Sequence, residues 1–384
     1  MNFEFATATR IVFGAGKLGE LGALAGGLGE RVLLVTGKGA WRAIRASELL
    51  EAAGFSVTVF AISGEPTIAL VEQGMSMARS AGCEFVISMG GGSVIDAGKA
   101  IAAMLTNEGE LLDYLEVIGR GRALTKPSAP FIAIPTTAGT GSEVTRNAVL
   151  ASPEQRVKVS LRSPKMLPTL ALIDPELTYD LPPAITASTG LDALTQLIEP
   201  FTCNRANPMT DAVCRDGIAR VARSLRVAFR EGHDAAARED MAVASLVGGM
   251  ALANAGLGAA HGFAAPIGGM FPGPHGAVCA ALLPQVMAAN LRALRARLPG
   301  SETLRRYDEV AQLATGNASA KADDGVRWVT ELVRDLRIPG LSAYGISNQD
   351  IGELVAKAAQ ASSMKANPIE LTTQELGDVV TAAL

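Results

Sequence analysis

Two of the three histidines in this 384-residue chain flank one short stretch, His261-Gly-Phe-Ala-Ala-Pro-Ile-Gly-Gly-Met-Phe-Pro-Gly-Pro-His275. Histidine is the commonest neutral nitrogen ligand for a metal, and a connection rich in glycine and proline lets the backbone bend until both rings face one point. The stretch reads as a Pro/Gly loop carrying two candidate ligands; helix-end histidines with ordinary hydrogen bonds are the bland alternative. A carboxylate that could join them is Asp192, in Thr189-Gly-Leu-Asp-Ala-Leu-Thr-Gln-Leu-Ile-Glu199. That run has helical spacing, so Asp192 and Gln196, four apart, share a face, and the carboxylate is at least partly buried and needs a partner. Backbone N–H groups at a helix N-terminus would satisfy it equally well. The remaining histidine, His233 in Arg230-Glu-Gly-His-Asp234, stands in a charged, exposed-looking loop.

A second chemistry is written in glycines. Gly90-Gly-Gly-Ser-Val-Ile-Asp-Ala-Gly-Lys-Ala100 follows the apolar run Glu84–Met89 and opens a helical pattern. Such a strand-to-helix turn offers unpaired N–H groups to a pyrophosphate, with a merely structural glycine turn as the alternative. It matches neither GxGxxG nor the Walker pattern. Pro135-Thr-Thr-Ala-Gly-Thr-Gly-Ser-Glu143, after the strand-like Phe131–Ile134, is a second turn rich in hydroxyls and glycine. Two phosphate-friendly turns at the carboxyl ends of strands are what a dinucleotide needs.

These groups need elements to position them. Up to about Thr178, β-branched runs alternate with amphipathic segments: Arg31–Thr36, Phe55–Ile62 and Glu84–Met89 as strands, Ala40–Ala53 and Thr67–Ala81 as helices. That alternation predicts βαβ units and a parallel sheet. Beyond Asp174-Pro175 and Leu181-Pro182-Pro183 nearly everything has helical spacing. The expectation is an α/β dinucleotide-binding domain over residues 1–179 and an all-α domain over 180–384. A net charge of −4 leaves no basic field for nucleic acid. By eye no apolar run reaches the roughly 20 residues that span a bilayer, and the N-terminus has no signal-peptide pattern. The four cysteines, Cys83, Cys203, Cys214 and Cys279, form no CxxC, which argues for a reducing, cytoplasmic setting and against a thiolate zinc site.

In order along the chain, Gly90-Gly-Gly-Ser-Val-Ile-Asp96, Pro135-Thr-Thr-Ala-Gly-Thr-Gly-Ser-Glu143, Gly190-Leu-Asp-Ala193, Ala206-Asn-Pro-Met-Thr-Asp211, Pro274-His-Gly276 and Met364-Lys-Ala-Asn-Pro368 resemble the iron-containing (group III) alcohol dehydrogenase family, with its related maleylacetate reductases and glycerol dehydrogenases. The resemblance implies a Rossmann-like domain followed by a helical one, the dehydroquinate synthase-like architecture, with cofactor and metal facing each other across a cleft. It implies cofactor contacts at Gly91, Gly92, Ser93, Asp96, Thr136, Thr137, Thr140 and Lys158, and metal ligands at Asp192, His261 and His275, the two histidines also serving catalysis. Two positions depart from the family. Gln196 stands where many members have a fourth, histidine ligand, and here offers at most a weak amide oxygen; Ala265 stands where a histidine often linked to proton transfer is found. One carboxylate and two imidazoles suit Fe²⁺ or Zn²⁺. At the strand end where NAD-specific enzymes place a carboxylate for the ribose, the resemblance puts Gly37, beside Lys38, so no carboxylate is there and NADP is allowed and slightly favoured over NAD. The expected function is hydride transfer between NAD(P) and a small alcohol and its aldehyde or ketone, in a homodimer. The alternative is a maleylacetate-type reductase of a carboxylated carbonyl compound, able to work without metal.

Overall fold

The computed structural model describes residues 2–384, and all side chains among them except those of Ala40 and Arg42. Contacts divide the chain into two compact units: one of Thr7–Thr137 with Gly141–Thr178, the other of Tyr179–Leu384 with Ala138–Thr140 and an N-terminal piece ending at Ala6.

The first unit is built in chain order from β1 (Arg10–Phe13), α1 (Leu21–Leu24), β2 (Arg31–Thr36), α2 (Ala40–Ala52), β3 (Ser56–Ala61), α3 (Ile68–Ser80), β4 (Phe85–Gly90), α4 (Gly92–Thr106), β5 (Phe131–Pro135), β6 (Asn147–Ser152), β7 (Val157–Arg162) and β8 (Leu170–Ile173). Six strands form one sheet in the order β1-β8-β5-β4-β2-β3, every pair parallel. The expected strands and helices match within about two residues. The hairpin β6–β7 is antiparallel and was not expected. Side chains of β2 alternate: Leu33 and Val35 join α3 and α4 in one core, Val32 and Leu34 join α1 and α2 in the other. Both faces are covered, which is why parallel strands read as unbroken apolar runs.

Sheet order locates the binding end. From β2 the chain steps outward to β3, then returns to place β4 on the other side of β2. The carboxyl ends of β2 and β4 thus flank the point where the connections diverge, the crevice where open α/β sheets take ligands. Gly37 follows one of these strands and Gly91 the other. Behind them Gly98 lets α4 lie against β4: a Cβ there would come 1.8 Å from Ser88 Oγ and 3.1 Å from the Phe131 ring.

The second unit is helical: α5 (Pro183–Thr202), α6 (Pro208–Arg230), α7 (Ala235–Asn254), α8 (Ala259–Met270), α9 (His275–Arg297), α10 (Glu302–Thr315), α11 (Ala322–Asp335), α12 (Ile351–Gln360) and α13 (Thr373–Ala383). Helix α5 is its axis, buried from Thr186 to Thr202 except at Thr189. Helix α9 is long and apolar enough by composition to cross a membrane, but 83% of its apolar window is buried, which marks a core helix. The composition that permits a span here serves a helix surrounded by other helices.

Gly98→Ala is expected to destabilise the protein by about 1–2 kcal/mol, read as a lower urea midpoint, because overpacking against Ser88 outweighs the roughly 1 kcal/mol of helix propensity gained. An unchanged midpoint would mean that α4 and β4 separate freely.

Candidate metal centre and phosphate turns

Asp192 lies in the middle of α5, where the backbone N–H groups are committed to the helix ladder, so a terminal cap cannot satisfy it. The stretch from His261 to His275 is not the expected loop. His261 sits in the first turn of α8, and only Phe271–Pro274 separates that helix from α9, which begins at His275. Proline and glycine did not break α8 because its start is capped from elsewhere in the unit. Glu199 Oε1 accepts from Ala260 N at 2.7 Å and Asn367 Oδ1 from Ala259 N at 3.1 Å. Gly258 permits this, since a Cβ there would stand 2.8 Å from Glu199 Oε1. Pro266 removes one ladder bond while Phe263, Ala264 and Ile267 stay buried.

Helices α5, α8 and α9 bring the three predicted ligands together. His261 Nε2 is 3.5 Å and His275 Nε2 3.7 Å from Asp192 Oδ1. The approach of α9 depends on Gly276, where a Cβ would fall 2.4 Å from the Ser188 carbonyl oxygen. Glu199, absent from the expected set, accepts from His261 Nδ1 at 2.7 Å. A carboxylate only accepts, so Nδ1 carries a proton, and Nε2 is the ring nitrogen turned toward Asp192. Gln196, the expected weak oxygen ligand, instead donates Nε2–H to Asp192 Oδ2 at 3.1 Å; an amide oxygen at that spot would repel the carboxylate. Cys279, one turn beyond His275 on α9, was also not anticipated as part of a metal site, and its Sγ lies 3.7 Å from His275 Nε2. CxxC spacing is no guide here, because the neighbours of this thiol come from other helices. The signal was the four-residue interval from His275, hidden by reading the region as loop.

Asp192 Oδ1, Gln196 Oε1 and His261 Nε2 are buried without a hydrogen-bond partner. Uncompensated atoms of this kind cost free energy and ask for a ligand. The electrostatics agree. Burial opposes charge on Asp192, yet His275 and His261 hold its carboxyl below the usual carboxylate range. Burial opposes charge on His261 too, but Cys279, Asp192 and Glu199 raise its pKa well above the ordinary value. The Cys279 thiol, pushed up by burial, is brought below its ordinary value by the two imidazoles. The place attracts positive charge, and a divalent cation supplies it while leaving both imidazoles neutral. The residues present therefore fit a metal.

In the α/β unit Gly91 is the N-cap of α4 and no side chain caps it, so the first-turn N–H groups at Gly92 and Ser93 are available to an anion. A Cβ on Gly91 would lie 3.5 Å from Thr137 Cγ2, and Thr136 N donates to Gly90 O at 2.9 Å, so the two turns lie side by side after adjacent strands. Thr140 belongs to the helical unit, where neighbouring Gly139 sits against Thr189. Asp96 accepts from Ser142 Oγ and, at 3.0 Å, from Val149 N, and Lys158 on β7 pairs with Glu65 at 3.0 Å. Buried Lys99, not singled out by sequence, donates to Ser142 O, Thr145 Oγ1 and Asn147 O, which pins the stretch after the threonine turn to α4. His233 is exposed, 3.3 Å from Asp180 and apart from the cluster.

Glu199→Gln is expected to weaken metal affinity about 10–100-fold, measured by equilibrium dialysis, because the amide can no longer accept from both Ala260 N and His261 Nδ1 at full strength. Affinity equal to the parent protein would show that His261 orients itself.

The family model described as iron-containing alcohol dehydrogenase matches residues 8–175, and that described as Fe-containing alcohol dehydrogenase family, C-terminal, matches residues 186–384. The chain is 37% identical to 1,3-propanediol dehydrogenase of Klebsiella pneumoniae over 91% of its own length and 90% of that protein's. Among solved structures, 1,3-propanediol oxidoreductase superposes with a TM-score of 0.92 at 34% identity, covering all of both chains. Sulfoacetaldehyde reductase from Bifidobacterium kashiwanohense in complex with NAD⁺ gives 0.88 at 30%, covering 100% of this chain and 99% of that one. Matched along both units, the chain belongs to the iron-containing alcohol dehydrogenase family, as an oxidoreductase acting on CH–OH groups.

Proposed function

We propose that this oxidoreductase transfers hydride reversibly between NAD(P) and a small alcohol and its aldehyde or ketone, with Asp192, His261 and His275 holding Fe²⁺ or Zn²⁺. The observation that carries the reading is the convergence of Asp192 Oδ1 and His261 Nε2, buried and without partners. When bound, the metal supplies Lewis-acid polarisation of the substrate oxygen. The rest is done by side chains. Glu199 keeps the His261 proton on Nδ1. Gln196 holds one oxygen of Asp192 and leaves the other free. His275, more open than its partners with its side chain 38% exposed, is the ligand nearest solvent.

Cofactor binding is assigned to the N-terminus of α4, where Gly91, Gly92 and Ser93 present backbone N–H groups to the pyrophosphate, with Asp96, Thr136, Thr137, Thr140 and Lys158 completing the set. Gly37 leaves room at the end of β2: a Cβ there meets only Val94 Cγ2, at 3.7 Å. With no carboxylate there to repel a 2′-phosphate, NADP is accepted and favoured. With Ala265 offering no titrating group, the alcohol proton leaves through water, a ribose hydroxyl or another group. The maleylacetate-type alternative is disfavoured by the partnerless ligand atoms, which an enzyme working without metal has no reason to keep. Family resemblance supports a homodimer, and four cysteines without a disulfide support a reducing, cytoplasmic setting.

Elemental analysis of protein purified without chelator, with NADH and NADPH oxidation against small aldehydes and keto acids, tests the reading. Stoichiometric metal and metal-dependent turnover are expected, and His275→Ala is expected to lose both; turnover of a keto acid by metal-free protein would overturn it. Gly37→Asp is expected to lower kcat/KM for NADPH by about tenfold or more while sparing NADH. Equal loss with both cofactors would move the 2′-phosphate site elsewhere.

A further inference from the structure

The metal reading leaves one corner of the cluster to be assigned. Around a metal about 2.0–2.1 Å from nitrogen or oxygen and about 2.3 Å from sulfur, tetrahedral ligands stand roughly 3.3–3.5 Å apart. The observed separations are 3.5 Å from His261 Nε2 to Asp192 Oδ1, 3.7 Å from His275 Nε2 to the same oxygen, and 3.7 Å from Cys279 Sγ to His275 Nε2. One atom from each of Asp192, His261, His275 and Cys279 lies within 4.8 Å of all the others. The three separations exceed the spacing a metal would set by only a few tenths of an ångström.

Gln196 gives its amide nitrogen to Asp192 Oδ2, and its remaining Oε1 is a weaker, harder donor than a thiolate. Cys279 is fully buried, and the four-residue step along α9 puts it on the face that carries His275. Two of the other three corners, Asp192 Oδ1 and His261 Nε2, are buried and without partners, so the thiol stands beside atoms that themselves call for a cation.

Resting on the metal-binding reading above, we infer that the sulfur of Cys279 is the fourth protein ligand of this metal, making an Asp–His–His–Cys centre that prefers Zn²⁺ or Co²⁺ to Fe²⁺. The S–H bond breaks, the proton leaves to solvent, and the sulfur electron pair forms the metal–sulfur bond. No oxidant or reductant enters. A soft thiolate in a tetrahedral nitrogen, oxygen and sulfur set shifts selectivity toward zinc-like ions.

The test loads the chelator-treated full chain with one equivalent of Co²⁺ and records its near-ultraviolet absorption, where a thiolate–cobalt bond gives an intense charge-transfer band. Zn²⁺ and Fe²⁺ affinities are measured alongside for the parent protein, Cys279→Ser and Cys83→Ser. The inference expects the band in the parent and in Cys83→Ser and none in Cys279→Ser, with the last losing more than about tenfold in Zn²⁺ affinity and less for Fe²⁺. Stoichiometric Co²⁺ without the band, or a band that survives Cys279→Ser, would overturn it and leave the three-ligand centre standing. Failure of the parent to bind any of the ions would overturn both.

Discussion

Asp192 is a carboxylate in the middle of the most buried helix of its unit, 1% exposed, on a backbone with no spare donors. An ionised group in such surroundings costs several kcal/mol unless other elements supply positive charge and hydrogen bonds. Helix α5 provides only the Gln196 amide. The remaining compensation comes from α8 and α9, which is why both begin beside this residue and carry imidazoles in their first turns. Even so the account is incomplete from protein atoms alone, since Asp192 Oδ1 and His261 Nε2 remain without partners. A cation completes it.

Holding two helix starts against a third takes close packing, and it is achieved with backbone rather than loops. Gly276 brings α9 onto the Ser188 carbonyl, and Gly258 brings the start of α8 onto Glu199 and Asn367. Asn367 is held in turn by Asn290, whose amide also donates to the Tyr307 hydroxyl. Each link satisfies a buried polar group while setting the position of a ligand-bearing helix. Such a network has little slack, since breaking one member leaves another buried and unpaired.

The α/β unit solves its recognition problem differently. An uncapped helix terminus is placed there by sheet topology, and what marks it is the absence of side chains at Gly90, Gly91 and Gly98. Lys99, buried among carbonyl and hydroxyl oxygens with its pKa lowered to about 8 by burial, ties the end of the threonine turn to α4.

From the residues alone, the change from β-branched runs to helical spacing near residue 180 was legible. The sheet strands Arg31–Thr36, Phe85–Gly90 and Phe131–Pro135 were legible because they are buried on both faces and so are mostly apolar. So were the glycine turn and the set Asp192, His261 and His275, since motif chemistry is local. The helix through His261–Met270 was not, because its caps, Glu199 and Asn367, lie 61 and 108 residues away from the groups they bind. Nor was the β6–β7 hairpin, whose short alternating strands carry a weaker signal than the buried ones. Sequence by itself singled out candidate metal ligands and phosphate turns and most strands and helices of the first unit. Only the tertiary structure decided that Cys279 stands beside the candidate ligands and that Glu199 accepts from His261 Nδ1, because both depend on contacts between distant helices that no local pattern encodes.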